Sequence, residues 1–331
     1  MKKILSILLC VLLLAGMVSA AVEDDRIDLK VALCVANTLG DRGFFDSADE
    51  GLKKLAEDFD GVTISVVECK SDASMFRDAL VEAAEQNDIV VAVGWEFWDG
   101  LEEVAPEMTD TLFLFIDNGM DGVGDNLMSI TYAENQGSFL AGYIGMKMSQ
   151  TGTVGVVGGE DSETINNFIV GYKQGALHAN AEGVVLDAVY TNDYEDPAKG
   201  KEAAMMLYGR NADVVFQVAG KTGLGVFEAA AETGNFAIGV DSDQKYLNSD
   251  VILCSMMKHV GDSIYEAVAG YITDGAFEGG TIWDADISTG FVTIGYGDDT
   301  MTQQVPDELK AEVEALKEQI ISGAIVVDST R

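Results

Sequence analysis

Short apolar runs alternate along this chain with longer segments whose apolar positions return every three or four residues. Val31–Ala36 is a continuous apolar run, and Phe45, Ala48, Leu52, Leu55 and Phe59 then recur at helical spacing. Val62–Val67 predicts a second strand, Met75–Gln86 a helix and Ile89–Val93 a third strand. Leu112–Ile116 and Met128–Thr131 extend the sheet. Most of these runs are apolar throughout rather than alternating, as strands are when helices cover both faces of a sheet. The first half therefore reads as a doubly wound lobe.

The pattern then restarts. A helix over Gln136–Met148 precedes a strand over Val154–Val157, and a helix over Thr164–Ala179 precedes a strand over Val184–Val189. A helix over Ala198–Tyr208, a strand over Val214–Phe216, a helix over Gly225–Glu232 and a strand over Phe236–Val240 follow. Two βαβ series of similar length predict two lobes with a cleft between them. With three prolines and no low-complexity linker, the lobes are expected to be joined by strand-like crossings that can act as hinges.

The N-terminus changes the picture of where the chain works. Lys2 and Lys3, an apolar run from Ile4 to Ala15 and Val18-Ser19-Ala20 form a signal-peptide pattern, with cleavage expected after Ala20. An uncleaved leader is the alternative, because Ile4–Val22 is long enough to span a bilayer. Cys10 does not fit a lipid anchor, since Leu9 stands where a small residue is needed. The mature chain of about 310 residues suits two cores better than one. Without Lys2 and Lys3 the 20 basic residues become 18 against 56 acidic ones, a net charge near −38. Such a field repels nucleic acid and anionic lipid. It argues equally against free anionic ligands, while agreeing with solubility in a salty medium.

The candidate chemistry is mostly negative. Gly220-Lys221-Thr222 resembles the end of a phosphate loop, but Val215 stands where the first glycine belongs. Gly223-Leu224-Gly225 lacks the third glycine of a dinucleotide fingerprint. Cys34, Cys69 and Cys254 form neither a disulfide framework nor a zinc site, although one bridge stays open. His178 and His259 have no His or Cys at ligand spacing, and Gly-x-Ser-x-Gly is absent. No enzyme, cofactor or metal is nominated.

What remains points to binding. In open α/β sheets ligands sit beyond the carboxyl ends of the strands. Phe44 and Phe45 follow the first strand there, and Phe216 ends a second-lobe strand in the same relation. An aromatic from each lobe can close on a flat heterocycle, though each fits a core role alone. Trp95 and Trp98 are further candidates at the cleft edge. Asp117, Asp241, Asp243 and Lys258 also follow apolar strands. Carboxylates accept from hydroxyl groups, and lysine donates to sugar oxygens. Helix capping or surface charge serves Asp117 and Asp243 equally well, whereas Asp241 and Lys258 favour the site.

At these residues the chain resembles the basic membrane protein family of ABC-transporter substrate-binding proteins, of the purine nucleoside receptor type. The resemblance rests on Gly40-Asp41-Arg42-Gly43-Phe44, Gly137-Ser138-Phe139-Leu140-Ala141-Gly142-Tyr143 and Gly155-Val156-Val157-Gly158-Gly159. It extends to Asp213-Val214-Val215-Phe216-Gln217 and Gly239-Val240-Asp241-Ser242-Asp243-Gln244. Membership implies a type I periplasmic-binding-protein fold, α/β, with two doubly wound parallel-sheet lobes joined by hinge crossings. The implied lobes are 27–133 plus 257–284, and 134–256 plus 285–331. It implies an extracytoplasmic, monomeric receptor that closes on a nucleoside and delivers it to an ABC permease. Residues matching Phe44 and Phe216 would sandwich the base, those matching Asp41 and Asp117 would lie near it, and Asp241 and Lys258 would hold the ribose hydroxyls. Phe168 and Gly220 also match cleft positions. Where the family has Asp-Lys-Ser-Phe-Asn this chain has Asp41-Arg42-Gly43-Phe44-Phe45, and Lys221 replaces a common glycine, pointing a cation at the cleft mouth. A sensor with the same fold, or a receptor for a sugar, is the alternative.

Overall fold

A computed structural model describes residues 27–330; the leader expected at Met1–Ala20, with Cys10, lies outside the described residues. The first series runs β1 (Leu29–Val35), α1 (Phe44–Asp58), β2 (Val62–Glu68), α2 (Phe76–Gln86), β3 (Ile89–Val93), α3 (Trp98–Glu107), β4 (Leu112–Ile116) and β5 (Leu127–Tyr132). The second runs α4 (Glu134–Met148), β6 (Thr153–Gly158), α5 (Glu163–Ala179), β7 (Val184–Val185), β8 (Val189–Tyr190), α6 (Pro197–Gly209), β9 (Val214–Val218), α7 (Leu224–Thr233), β10 (Phe236–Asp241) and β11 (Ile252–Lys258). The chain ends with α8 (Val260–Asp274), β12 (Ile282–Ala285), β13 (Val292–Gly295) and α9 (Asp307–Ile321).

These strands form two sheets of the same winding. One has the order β12-β5-β4-β3-β1-β2 and the other β13-β11-β10-β9-β6-β7. Pairing is parallel except for β13, which runs antiparallel to β11 at the edge. Every residue of β3, β5, β6 and β9 is buried, which is why β3 is apolar throughout, while β5, β6 and β9 also bury Ser129, Thr131, Thr153 and Gln217. The strand expected over Val184–Val189 is broken into β7 and β8, both paired with β6. It is an edge strand with one neighbour, and Val184 is half exposed, so only its ends meet the ladder.

The two halves share their crossing geometry. Ala133, between β5 and α4, has φ −84° and ψ 67°, and His259, between β11 and α8, has φ −76° and ψ 63°. A third crossing joins β12 to β13. The crossings lie side by side: Ala133 N donates to Ala285 O at 2.9 Å, and His259 N to Phe291 O at 2.9 Å. Beyond its crossing α8 packs on α1 so closely that a Cβ on Gly51 would lie 2.2 Å from Gly261 O. Glycine does the same between α4 and α5, where a Cβ on Gly175 would meet Phe139 O at 1.8 Å.

Cys34, Cys69 and Cys254 are buried and free, which removes the bridge left open by the sequence. Burial pushes the Cys34 and Cys254 thiols up to about 12. Among the described residues no helix is long and apolar enough to cross a membrane.

Candidate functional site

A cleft of about 730 Å³, its open mouth included, lies at the carboxyl ends of both sheets. That is within the range of sites for small organic ligands. Of the residues nominated by sequence, Asp41, Phe44, Phe45, Trp95, Asp117, Phe168, Gly220, Lys221, Asp241 and Lys258 line it. Phe216, Asp243 and Trp98 do not.

At its centre stands Lys258, the last residue of β11, with 2 % of its surface exposed. Its ammonium donates to Asp117 Oδ1 at 2.8 Å and lies 3.7 Å from Asp241 Oδ1. Asp117 follows β4 and Asp241 ends β10, equivalent places in the two sheets. Both carry a left-handed backbone, φ 79° and 64°, which a non-glycine residue adopts at a cost of order 1–3 kcal/mol. The turn aims each carboxylate off its strand end and into the cleft. Burial alone pushes the Lys258 pKa down, but the charges of Asp117, Asp241 and Glu134 and the hydrogen bond to Asp117 outweigh it and hold the ammonium above the ordinary lysine range. Burial raises Asp241 to about 6, against the pull of Lys258. Among the described residues no donor comes within hydrogen-bond distance of Asp241 Oδ1. A buried acceptor left open in this way is costly unless something fills it.

Aromatic rings surround the ammonium. Its Nζ lies 4.5 Å from the Phe44 ring centre and 5.3 Å from that of Phe168, close enough for cation–π attraction. Phe44 opens α1 in the first lobe and Phe168 sits on α5 in the second, so each half of the chain presents an aromatic ring to the cleft. The expectation for Phe216 is corrected. Phe216 lies inside the second lobe with no exposed surface, stacked on Tyr172 at 5.2 Å and behind Phe168 at 6.4 Å. Being mid-strand in β9, its side chain points into the layer between sheet and α5, and it supports the wall that Phe168 presents.

Asp243 is corrected too: it accepts from Lys245 N at 3.2 Å and Gly297 N at 2.7 Å, fixing the turn after β10. Asp41 lines the cleft but its oxygens are occupied by Gly43 N, Phe45 N and Asp46 N at 2.9–3.1 Å, which ties down the first turn of α1. Burial raises its pKa to about 6. Trp98 packs edge-on against Phe115 at 6.0 Å instead of entering the cleft.

Sequence reasoning missed Glu195, Tyr194 and Glu96. Glu195 joins the lobes at the mouth, accepting from Thr38 Oγ1 at 2.8 Å, Thr38 N at 3.4 Å and Lys221 Nζ at 3.1 Å. So the cation expected at the mouth is there, paired. Tyr194 lies over Gly159, where a Cβ would meet its ring at 2.0 Å. Both residues follow β8, the fragment lost in the unbroken reading of Val184–Val189. Glu96 was one residue beyond the tryptophan that drew attention.

A family model described as "ABC transporter substrate-binding protein PnrA-like" (Bmp) matches residues 28–331. The chain belongs to this family. Among its relatives it is similar to basic membrane protein A1 of Borrelia garinii subsp. bavariensis, 30% identical over 99% of this chain and 96% of that one. It is similar also to the ABC transporter nucleoside-binding protein BmpA of Lactococcus lactis subsp. cremoris, 31% identical over 92% of this chain and 90% of the other. Among solved structures, an ABC transporter solute-binding protein from Aeropyrum pernix K1 superposes with a TM-score of 0.82 at 25% identity, covering 91% and 94% of the two chains. This PnrA-like chain therefore has the type I periplasmic-binding-protein fold, and its family and fold are those of solute-binding proteins.

Proposed function

We propose that this chain is an extracytoplasmic receptor that captures a nucleoside, purine in preference, between its lobes and presents it to an ABC importer. The lobes divide as 27–133 plus 257–284 and 134–256 plus 285–331. The observation that carries the reading is the Asp117–Lys258–Asp241 cluster set between the Phe44 and Phe168 rings. An ammonium beside an open carboxylate oxygen suits a vicinal diol, which both donates and accepts. The flanking rings suit a base, and a bicyclic purine covers more of them than a pyrimidine. The relative named as nucleoside-binding supports the same ligand class. The chain's net charge of −36 favours a neutral ligand over a nucleotide.

No bond is made or broken. Ligand entry fills the Asp241 acceptor, the rings close on the base, and the Thr38–Glu195 contact at the mouth holds the lobes together. A co-crystal structure with guanosine tests the arrangement. The base should lie between Phe44 and Phe168 with both ribose hydroxyls on Asp241 and Lys258. A base bound elsewhere, or a ribose facing solvent, would overturn it.

A further inference from the structure

We propose that Gln244 is a positioning residue for the ligand, drawing the turn ahead of Phe44 onto the end of β10 so that the Phe44 ring stands against Asp241 and Lys258. The inference rests on the reading of the cleft above, in which Phe44 is a wall for the ligand, and deepens it.

Gln244 follows β10 with 1 % of its surface exposed. A buried amide is costly unless its atoms are paired, and this one is paired at both ends. Its Oε1 accepts from Val240 N at 3.0 Å and from Gln217 Nε2 at 2.8 Å, and its backbone N donates to Ser255 Oγ at 3.0 Å. Glycine at 239 makes room for it, since a Cβ there would lie 2.8 Å from Gln244 Oε1. A backbone N–H can only donate, so the Val240 contact fixes which end of the amide is oxygen. The other end, Nε2, donates to Arg42 O at 3.0 Å. Val240, Gln217 and Ser255 belong to β10, β9 and β11 of one sheet. Only the bond to Arg42 crosses to the turn that follows β1 in the other sheet.

The receiving turn is stiff. Asp46 accepts from Gly40 N at 2.6 Å and Arg42 N at 3.0 Å, and Asp41 accepts from Gly43 N and Phe45 N. Two successive carbonyls of this turn are held from β10's end: Arg42 O by Gln244, and Gly43 O by Ser242 Oγ at 3.3 Å. A Cβ on Gly43 would lie 3.5 Å from Gln244 Nε2 and 3.6 Å from Asp241 Oδ2, so turn and strand end touch. Phe44 is the next residue, and its ring centre lies 4.5 Å from Lys258 Nζ. A stiff turn held at Arg42 and Gly43 carries Phe44 with it. The amide of Gln244, itself fixed by three bonds to its own sheet, therefore sets how closely the ring approaches the Asp241–Lys258 pair.

Calorimetric titration with guanosine tests this in wild type, Gln244→Met, Ser242→Ala, Phe44→Ala and the two double variants that include Phe44→Ala. Gln244→Met keeps the length and removes the donor. It should weaken guanosine about tenfold or more, and Ser242→Ala about threefold. Neither loss should recur in the Phe44→Ala background, because groups that act through one ring are not additive. A merely structural role would give the same loss with and without the ring, and that additivity would overturn the assignment. Unchanged affinity in Gln244→Met would overturn it too. Should Gln244→Met fail to fold, Ser242→Ala, which leaves the buried amide pair intact, decides by the same cycle. These outcomes bear on Gln244 alone; a wild type that binds no nucleoside would overturn its role together with the reading beneath it.

Discussion

The ammonium of Lys258, at the end of β11 in one sheet, donates at 2.8 Å to Asp117, which follows β4 in the other. The ion pair therefore bridges the two sheets as well as standing at the centre of the cleft. Glu134 and Asp241 add further negative charge around the same ammonium.

Replacing Lys258 should consequently cost both binding and stability. Lys258→Met leaves buried carboxylates without their cation, a change that typically costs about 3–5 kcal/mol. Urea denaturation at neutral pH should show a loss of that order, together with lost ligand binding. The loss should shrink on acidification as Asp241 takes up a proton. A variant as stable as wild type at pH 7.5 would contradict the placement of this charge.

Phe44 and Phe216 should separate cleanly. Phe44 faces the cleft, so Phe44→Ala should weaken binding about 30-fold or more through lost burial and stacking, and change stability by less than about 1.5 kcal/mol. Phe216 is core, so Phe216→Ala should destabilise by about 3–5 kcal/mol. Equal effects of the two substitutions on affinity at equal stability would restore Phe216 to the ligand wall.

The pH dependence has a definite sign. Burial raises Asp241 from 3.8 to about 6 in the folded protein, so the fold binds a proton there that the unfolded chain has released. Stability from this group is full below about pH 4 and is lost as pH rises through 6. Ligand affinity should move the opposite way, because the diol needs the ionised acceptor. Comparing wild type with Asp241→Asn between pH 4 and 7.5 isolates this group. A difference in stability that does not vary across that window would refute the raised pKa.

The mouth contact should act on residence time. Thr38→Val removes the hydroxyl that Glu195 accepts at 2.8 Å and should raise the ligand dissociation rate several-fold in stopped-flow displacement. An unchanged rate would mean that Glu195 does not hold the cleft shut.

Much of this was legible in the sequence, for reasons that differ by element. Strands such as β3 and β4 are buried on both faces, so their apolar runs end where the strands end. The strand-end rule led to Asp117, Asp241 and Lys258, which line the cleft, and also to Asp243, which instead accepts backbone N–H groups in the turn after β10. The same rule misplaced Phe216, since a strand's last apolar residues point alternately to its two faces and sequence does not say which. The helix α3 was missed because Trp95 and Trp98 drew the eye to the cleft edge. The Asp41 carboxylate was legible as a site residue, but its capping of α1 depends on a left-handed Arg42, φ 58°, that no spacing reveals.

The most direct test is calorimetric titration of the chain from Ala21 onward against adenosine, guanosine, inosine, uridine, cytidine, ribose and the free bases. The account predicts one-site binding of purine nucleosides, with ribose alone inert and free bases weaker for want of the diol. No heat with any nucleoside, or ribose binding as tightly as guanosine, would contradict it.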